Sequence, residues 1–112
     1  MDTIAGSVSN AFQVFATEAK DHAQAWNVAT GALAHACVLE PKTRHLGYLA
    51  VLAALGLESG VPFHVMLAKD AGASRDEVIS AILLGLQPAG HRVTACLPAA
   101  LAAYDELPAS GR

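Results

Sequence analysis

The sequence predicts an all-α fold, a compact multi-helix bundle of about five to seven helices. Its apolar stretches repeat at helical spacing, and no alternating β-branched run or Asn-Gly or Asp-Gly hairpin turn interrupts them. Residues 39–77 also spell out the starts and stops of successive helices. A chain of 112 residues is one domain, and an apolar fraction of 54 % guarantees it a core.

The elements follow in order. Val8, Ala11, Phe12, Phe15 and Ala19 make one apolar stripe at i, i+3, i+4 and i+7, which predicts a first helix. Trp26, Ala29, Leu33 and Ala36 predict a second, with Gly31 inside it at a cost of about 1 kcal/mol relative to Ala. Glu40-Pro41 opens the third, with Pro41 at the first helical position, where a missing N–H is no loss. Gly56 stops it. From Leu46 to Leu55 this helix is apolar all round, the pattern of a central helix, a subunit interface, or both. Ser59 is placed to cap a fourth helix over residues 60–71, with Pro62 and His64 in its first turns. Gly72 ends that helix, and Ser74-Arg75-Asp76-Glu77 is a capping box opening a fifth over 75–86, with Val78, Ile82 and Leu86 on one face. A last helix is expected over 91–106, kinked at Pro98, whose ring removes a hydrogen bond and clashes with the preceding turn. One helical domain over residues 1–107 and a disordered tail over 108–112 are the expected organisation.

Composition excludes several function classes. A net charge of −3 without any block of like charge offers nucleic acid no electrostatic footprint. The apolar runs stop well short of the ~18–20 residues a membrane span needs. No Lys or Arg precedes Lys20, so the start lacks the basic region of a signal peptide. Cys37 and Cys96 lie far apart, fit no metal or redox spacing and read as small apolar fillers. A reducing cytoplasm is the expected compartment. With only 15 % charged residues to cover the surface of so small a domain, part of that surface is expected to meet another copy of the chain.

One side chain stands out. The helix order sets His64 just after a loop and close to a helix N-terminus, which favours the neutral imidazole. An imidazole titrating near neutrality suits proton transfer; a core histidine bonded to a carbonyl is the plain alternative.

Pro41-Lys42-Thr43-Arg44, the apolar run to Gly56, the segment from His64 to Gly72 and Ser74-x-x-Glu77 together resemble the carboxymuconolactone decarboxylase family. That family shares its fold with the alkyl-hydroperoxidase D-like proteins, and the resemblance runs without an obvious gap over residues 39–103. It implies an alkyl-hydroperoxidase D-like bundle assembled as a homo-oligomer, dimer to hexamer, through its central helices. It also makes His64 the characteristic histidine that follows the loop. The hydroperoxidase branch carries Cys-x-x-Cys-x-x-x-His, but here the cysteine positions are Leu57 and Gly60. Neither can supply an attacking thiolate or a resolving thiol, so dithiol hydroperoxidase activity is not expected.

Nineteen residues before the histidine, where family members commonly place a Glu, stands His45. A second imidazole cannot hold the first in one tautomer as a carboxylate does. His45 is left to form a neutral hydrogen-bonded pair with His64 or to share a metal with it. A third ligand would come from Glu58 or His91, at spacings that match no recognised zinc motif, so no metal or other cofactor is expected.

The decarboxylase branch lacks the paired cysteines, as this chain does. Its reaction removes CO2 from a small dicarboxylate lactone and leaves an enol-lactone. That chemistry needs a cation for carboxylate, donors for a developing enolate and an acid to reprotonate carbon. The resemblance makes His64 and His45 the catalytic candidates. Arg44, Tyr48, Glu58, His91 and Arg92 are the substrate-binding candidates, with Lys42 a further cation. Tyr48 lies three residues after His45 on one helix face, where its hydroxyl either donates into the site or bonds a carbonyl while the ring packs. The turn at Pro88-Ala89-Gly90 leads into His91-Arg92, either an anion-binding helix start or a plain interhelix turn. Leu84 and Pro88 stand where the branch tends to be polar, and Gly60 replaces an acidic loop residue. Two readings stay open: a cofactor-free lyase acting on a small anionic lactone-type substrate through His64, or a non-catalytic oligomeric binding protein that kept the fold.

Overall fold

Among the described residues, seven α-helices and two 3-10 segments follow one another, with no strand. The computed structural model describes residues 8–106, so the tail expected at 108–112 lies outside the described residues. Helices α1 (Asn10–Glu18) and α2 (Lys20–Ala36) form an N-terminal hairpin broken at Ala19. Ser9 caps α1 by accepting the Phe12 N–H at 3.2 Å.

Helix α3 (Pro41–Leu55) begins at Pro41, as its sequence dictates, and ends at Gly56 with φ 73°. There the Leu57 N–H reaches the Leu52 carbonyl and the Gly56 N–H the Ala53 carbonyl, a Schellman closure that only a left-handed residue completes without strain. A 3-10 turn (Glu58–Gly60) leads straight into α4 (Val61–Asp70). Ser59 was the expected cap, but α4 starts from Gly60 with no side-chain cap, because Ser59 is drawn into the 3-10 turn. The end of α4 repeats the Schellman closure at Gly72, φ 97°.

The capping box is present at α5 (Arg75–Leu83). The Ser74 hydroxyl accepts the Glu77 N–H at 3.0 Å, and the Glu77 carboxylate accepts the Ser74 N–H at 2.9 Å. That helix stops at Leu83, short of the expected residue 86, and a turn through Gly85 leads to the single-turn α6 (Leu86–Ala89). A Cβ on Gly85 would stand 3.2 Å from Val93, so close packing at Gly85 fixes the turn there.

Pro98 does not kink a long last helix. Residues His91–Cys96 form a 3-10 segment and α7 (Leu97–Glu106) starts afresh, which puts Pro98 in a first turn, where its ring meets no preceding carbonyl.

The body is built on α3, which packs against α4, α5 and the 91–96 segment, with α7 laid across α4 and α5. Its core holds Leu49, Val61, Val65, Val78, Ile82 and Val93, all without solvent exposure. Each such side chain contributes on the order of 1.5–3 kcal/mol. Polar links tie the same helices together: Lys42 to Glu77 at 3.1 Å, Arg75 to Asp105 at 2.9 Å, and the Tyr104 hydroxyl donating to the Ala73 carbonyl at 2.8 Å.

Burial departs from expectation at two places. Helix α3 hides only one face within the chain, that of Leu49, Leu52 and Ala53; Val51 and Leu55 are 57 % and 59 % exposed. The stripes of α1 and α2 are largely in water too, with Leu33 70 % exposed and Ala23 the only buried residue of either helix. The hairpin packs chiefly on itself. Among the described residues no helix is long and apolar enough to cross a membrane.

Candidate functional site

Helix α4 sets His64 one turn in from its N-terminus, and α3 sets His45 and Tyr48 one turn apart. The Tyr48 and His64 rings stack, centroids 4.0 Å apart and planes 16° from parallel. Phe63 meets the same imidazole edge-on at 5.3 Å. Thus Tyr48 meets His64 by its ring face.

These rings form one wall of a cavity of about 760 Å³ between the body and the N-terminal hairpin. From the body come Arg44, His45, Tyr48, Phe63 and His64; from the hairpin come Phe12, Trp26, Asn27, Thr30 and Leu33, with Cys37 where α2 ends. No aspartate or glutamate is among the described lining residues. The Arg44 guanidinium donates to the Ala34 carbonyl at 3.4 Å, one of the carbonyls that the end of α2 leaves without a helical partner.

Burial first, and neighbouring charge second, disfavour the charged form of both imidazoles. His64 is pushed down from 6.5 to about 4, first by burial and then by His45. His45 is lowered by burial and by the adjacent Arg44. The Nδ1 atom of His64 is buried and has no hydrogen-bond partner among the described residues. Such an unmade bond costs about 1–3 kcal/mol, and a ligand group that supplies the partner recovers it. Depending on the tautomer, Nδ1 offers that group a lone pair or an N–H.

The structure brings His45, His64, Arg44 and Tyr48 to one cavity wall, and the other candidates lie elsewhere. Glu58 faces Cys96, whose thiol it helps to raise. The Arg92 guanidinium lies against Gly56 at the C-terminal end of α3, where a cation complements the helix dipole. His91 is exposed and opens the 91–96 segment. Lys42 is taken up by Glu77. Leu84 and Pro88 are outside the cavity as well, so their apolar character leaves its lining unchanged. Among the described residues no three His, Cys, Asp or Glu side chains are grouped so as to hold a metal ion.

The hairpin's contribution was missed. Trp26 and Leu33 were legible as a helix stripe, with Asn27 and Thr30 beside it, but nothing local says that this stripe faces a cavity rather than a core.

An all-α body with a loop-following histidine on the wall of a cavity defines the class. The family model described as Carboxymuconolactone decarboxylase family matches residues 20–105, and the chain belongs to that family. The match takes in α2, which lies before the stretch whose motifs carry the resemblance. Its fold is the all-α, alkyl-hydroperoxidase D-like one. No curated protein and no solved structure matches the chain.

Proposed function

We propose that the chain is a cofactor-free lyase of the carboxymuconolactone decarboxylase type, acting on a small anionic lactone-type substrate with His64 as its acid/base. One observation carries this reading: a buried imidazole nitrogen without a protein partner on the wall of a cavity that also holds Arg44. Arg44 anchors the substrate by carboxylate. As the bond to the departing CO2 breaks, its electron pair passes into the conjugated lactone carbonyl, and the carbon α to that carbonyl takes up a proton as the double bond shifts to give the enol-lactone. His64 is neutral on its own, but an anion seated beside it favours the imidazolium, so substrate binding charges the donor it needs. His45 adjoins it as a second neutral ring, and Tyr48 fixes the plane of the imidazole by stacking.

The test is CO2 release from carboxymuconolactone and related lactone acids by the purified chain. His64→Gln is expected to cost about 10²-fold or more in kcat, with helix content unchanged by circular dichroism. Turnover that survives His64→Ala sinks the reading.

The lining itself favours a second reading. Among the described lining residues no carboxylate orients either imidazole and most are apolar, as suits a binding protein that kept the fold without the chemistry. Stoichiometric binding without turnover across the lactone acids selects it.

Under either reading we take the chain to be a homo-oligomer. The exposed apolar side chains of α2 and α3 are its contact surface, in keeping with the low charge of the sequence.

A further inference from the structure

We propose that the His64 cavity takes a lactone acid that carries an apolar, ring-sized extension, its carboxylate at Arg44 and its extension against Phe12 and Trp26. The proposal rests on taking this cavity as the substrate site, as the lyase reading does, and it names the substrate more closely. Arg44 marks the acid end. It is the only guanidinium or ammonium among the described lining residues. Its hydrogen bond to the Ala34 carbonyl, at 3.4 Å, uses one donor. It has no acidic partner among the described residues, so its remaining donors are available to an anion. The extension adds to the diacid of the lyase reading and takes nothing from it: one carboxylate stays at Arg44 and the other leaves as CO2.

The other end is aromatic. Trp26 stands eight residues before Ala34 on α2, about 12 Å along the axis at about 1.5 Å per residue. Phe12, from α1, lines the cavity with it. The acid-binding and aromatic ends are therefore separate, and a lactone ring seated at Arg44 leaves the second of them open. Volume agrees. A bare lactone diacid has about a dozen heavy atoms and fills on the order of 200 Å³ at interior packing density, against a cavity of about 760 Å³. Water left in the remainder faces mostly apolar described residues, and an apolar group that displaces it is favoured by the hydrophobic effect. Phe12 and Trp26 favour a ring there over a flexible chain, because rings stack or meet edge-on.

CO2 release by the full chain is compared for carboxymuconolactone and for the same diacid bearing a benzyl or a hexyl group on the lactone ring. The saturated lactone monoacids, benzyl and unsubstituted, have no carboxylate to lose. They are titrated in parallel by calorimetry and by the fluorescence of Trp26, the chain's single tryptophan. The benzyl diacid is expected to exceed the unsubstituted one about tenfold or more in kcat/KM, with the hexyl diacid between them. The benzyl monoacid should bind about tenfold tighter than the unsubstituted one and change Trp26 emission. Trp26→Ala and Phe12→Ala should each reduce the benzyl advantage to about threefold or less. Val28→Ala, on α2 but outside the described lining, keeps it. A thermal melt of each variant verifies folding.

The proposal is overturned if the unsubstituted compounds are turned over or bound as well as the benzyl ones, or if the benzyl advantage survives both Trp26→Ala and Phe12→Ala. It is overturned equally if nothing binds. Turnover of the unsubstituted diacid that depends on His64, without any benzyl advantage, removes this proposal and leaves the lyase reading standing. Benzyl-selective binding that needs Trp26, with no turnover of any diacid, retires the lyase reading and keeps the extended seat.

Discussion

Tyr48 and His64, sixteen residues apart on consecutive helices, stack with their ring centroids 4.0 Å from one another. The stack couples the position of the imidazole to the packing of α3 on α4. It also shields one face of the imidazole from water, and burial is the main reason that His64 resists protonation. Tyr48→Phe keeps the ring and should change stability by no more than about 0.5 kcal/mol. Tyr48→Ala should cost about 1–2 kcal/mol, since the side chain is half exposed. It should also raise the His64 pKa toward its ordinary value by admitting water. NMR titration of the imidazole in both variants checks this; an unmoved pKa in Tyr48→Ala would show that the stack does not shield it.

A lowered histidine pKa has a consequence for folding. In the unfolded chain His64 takes up its proton near pH 6.5, but in the folded chain only near 4. Between those values the unfolded state binds more protons, so stability rises with pH across that window and is lost on acidification through it. His45, lowered too, pulls in the same direction. The melting temperature should therefore fall as pH drops from 6.5 to 4. His64→Phe, which keeps an aromatic ring over Tyr48, should flatten that profile. A wild-type profile level across the window would contradict the neutral, buried imidazole.

Much of the fold was legible because its punctuation is chemical. Pro41, Gly56, Gly72 and the Ser74/Glu77 box act through local backbone geometry, and each stands where its residue type requires. Pro98 was misread because the proline rule states only that a helix is interrupted. Whether the chain kinks or restarts after a 3-10 segment is settled by tertiary packing, here by Val93 and Cys96 entering the core. The site was half legible. His45 and Tyr48 stand three residues apart on one helix face, so spacing sufficed to group them. Trp26 and Cys37 come from a hairpin whose seat on the body no local rule specifies. Glu58, His91 and Arg92 were singled out by residue type and by place in the chain, and none of the three lines the cavity.

The body has a polar clasp of its own. Tyr104 on α7 donates to the carbonyl of buried Ala73, and the Lys69 ammonium bonds the Tyr104 carbonyl at 2.6 Å while lying 4.5 Å from its ring centre. Tyr104→Phe leaves the Ala73 carbonyl without this donor and should destabilise by about 1–2 kcal/mol. The cation–π contact survives that change, so Tyr104→Leu should cost more, by about 0.5–1 kcal/mol from this contact plus lost packing. Urea unfolding of the two variants separates the hydroxyl from the ring. Equal losses would assign the whole effect to the hydroxyl.

The outer face of α3 is the sharpest test of assembly. Val51 and Leu55 point away from the core that Leu49, Leu52 and Ala53 build, and both are more than half exposed in a single chain. A monomer gains nothing from apolar residues there, whereas burying a Leu side chain against another copy stabilises by about 1.5–3 kcal/mol. Symmetry multiplies that gain, because each copy in a closed ring or dimer contributes the same surface. Leu55→Glu places a charge in the contact without disturbing the core. It should shift the assembly to smaller species by light scattering, with helix content retained by circular dichroism. Leu84→Glu, at an exposed turn between α5 and α6, serves as the comparison for added charge alone. If Leu55→Glu leaves the molar mass unchanged, or if wild type is already monomeric at micromolar concentration, α3 is not the seam and its apolar outer face has another purpose.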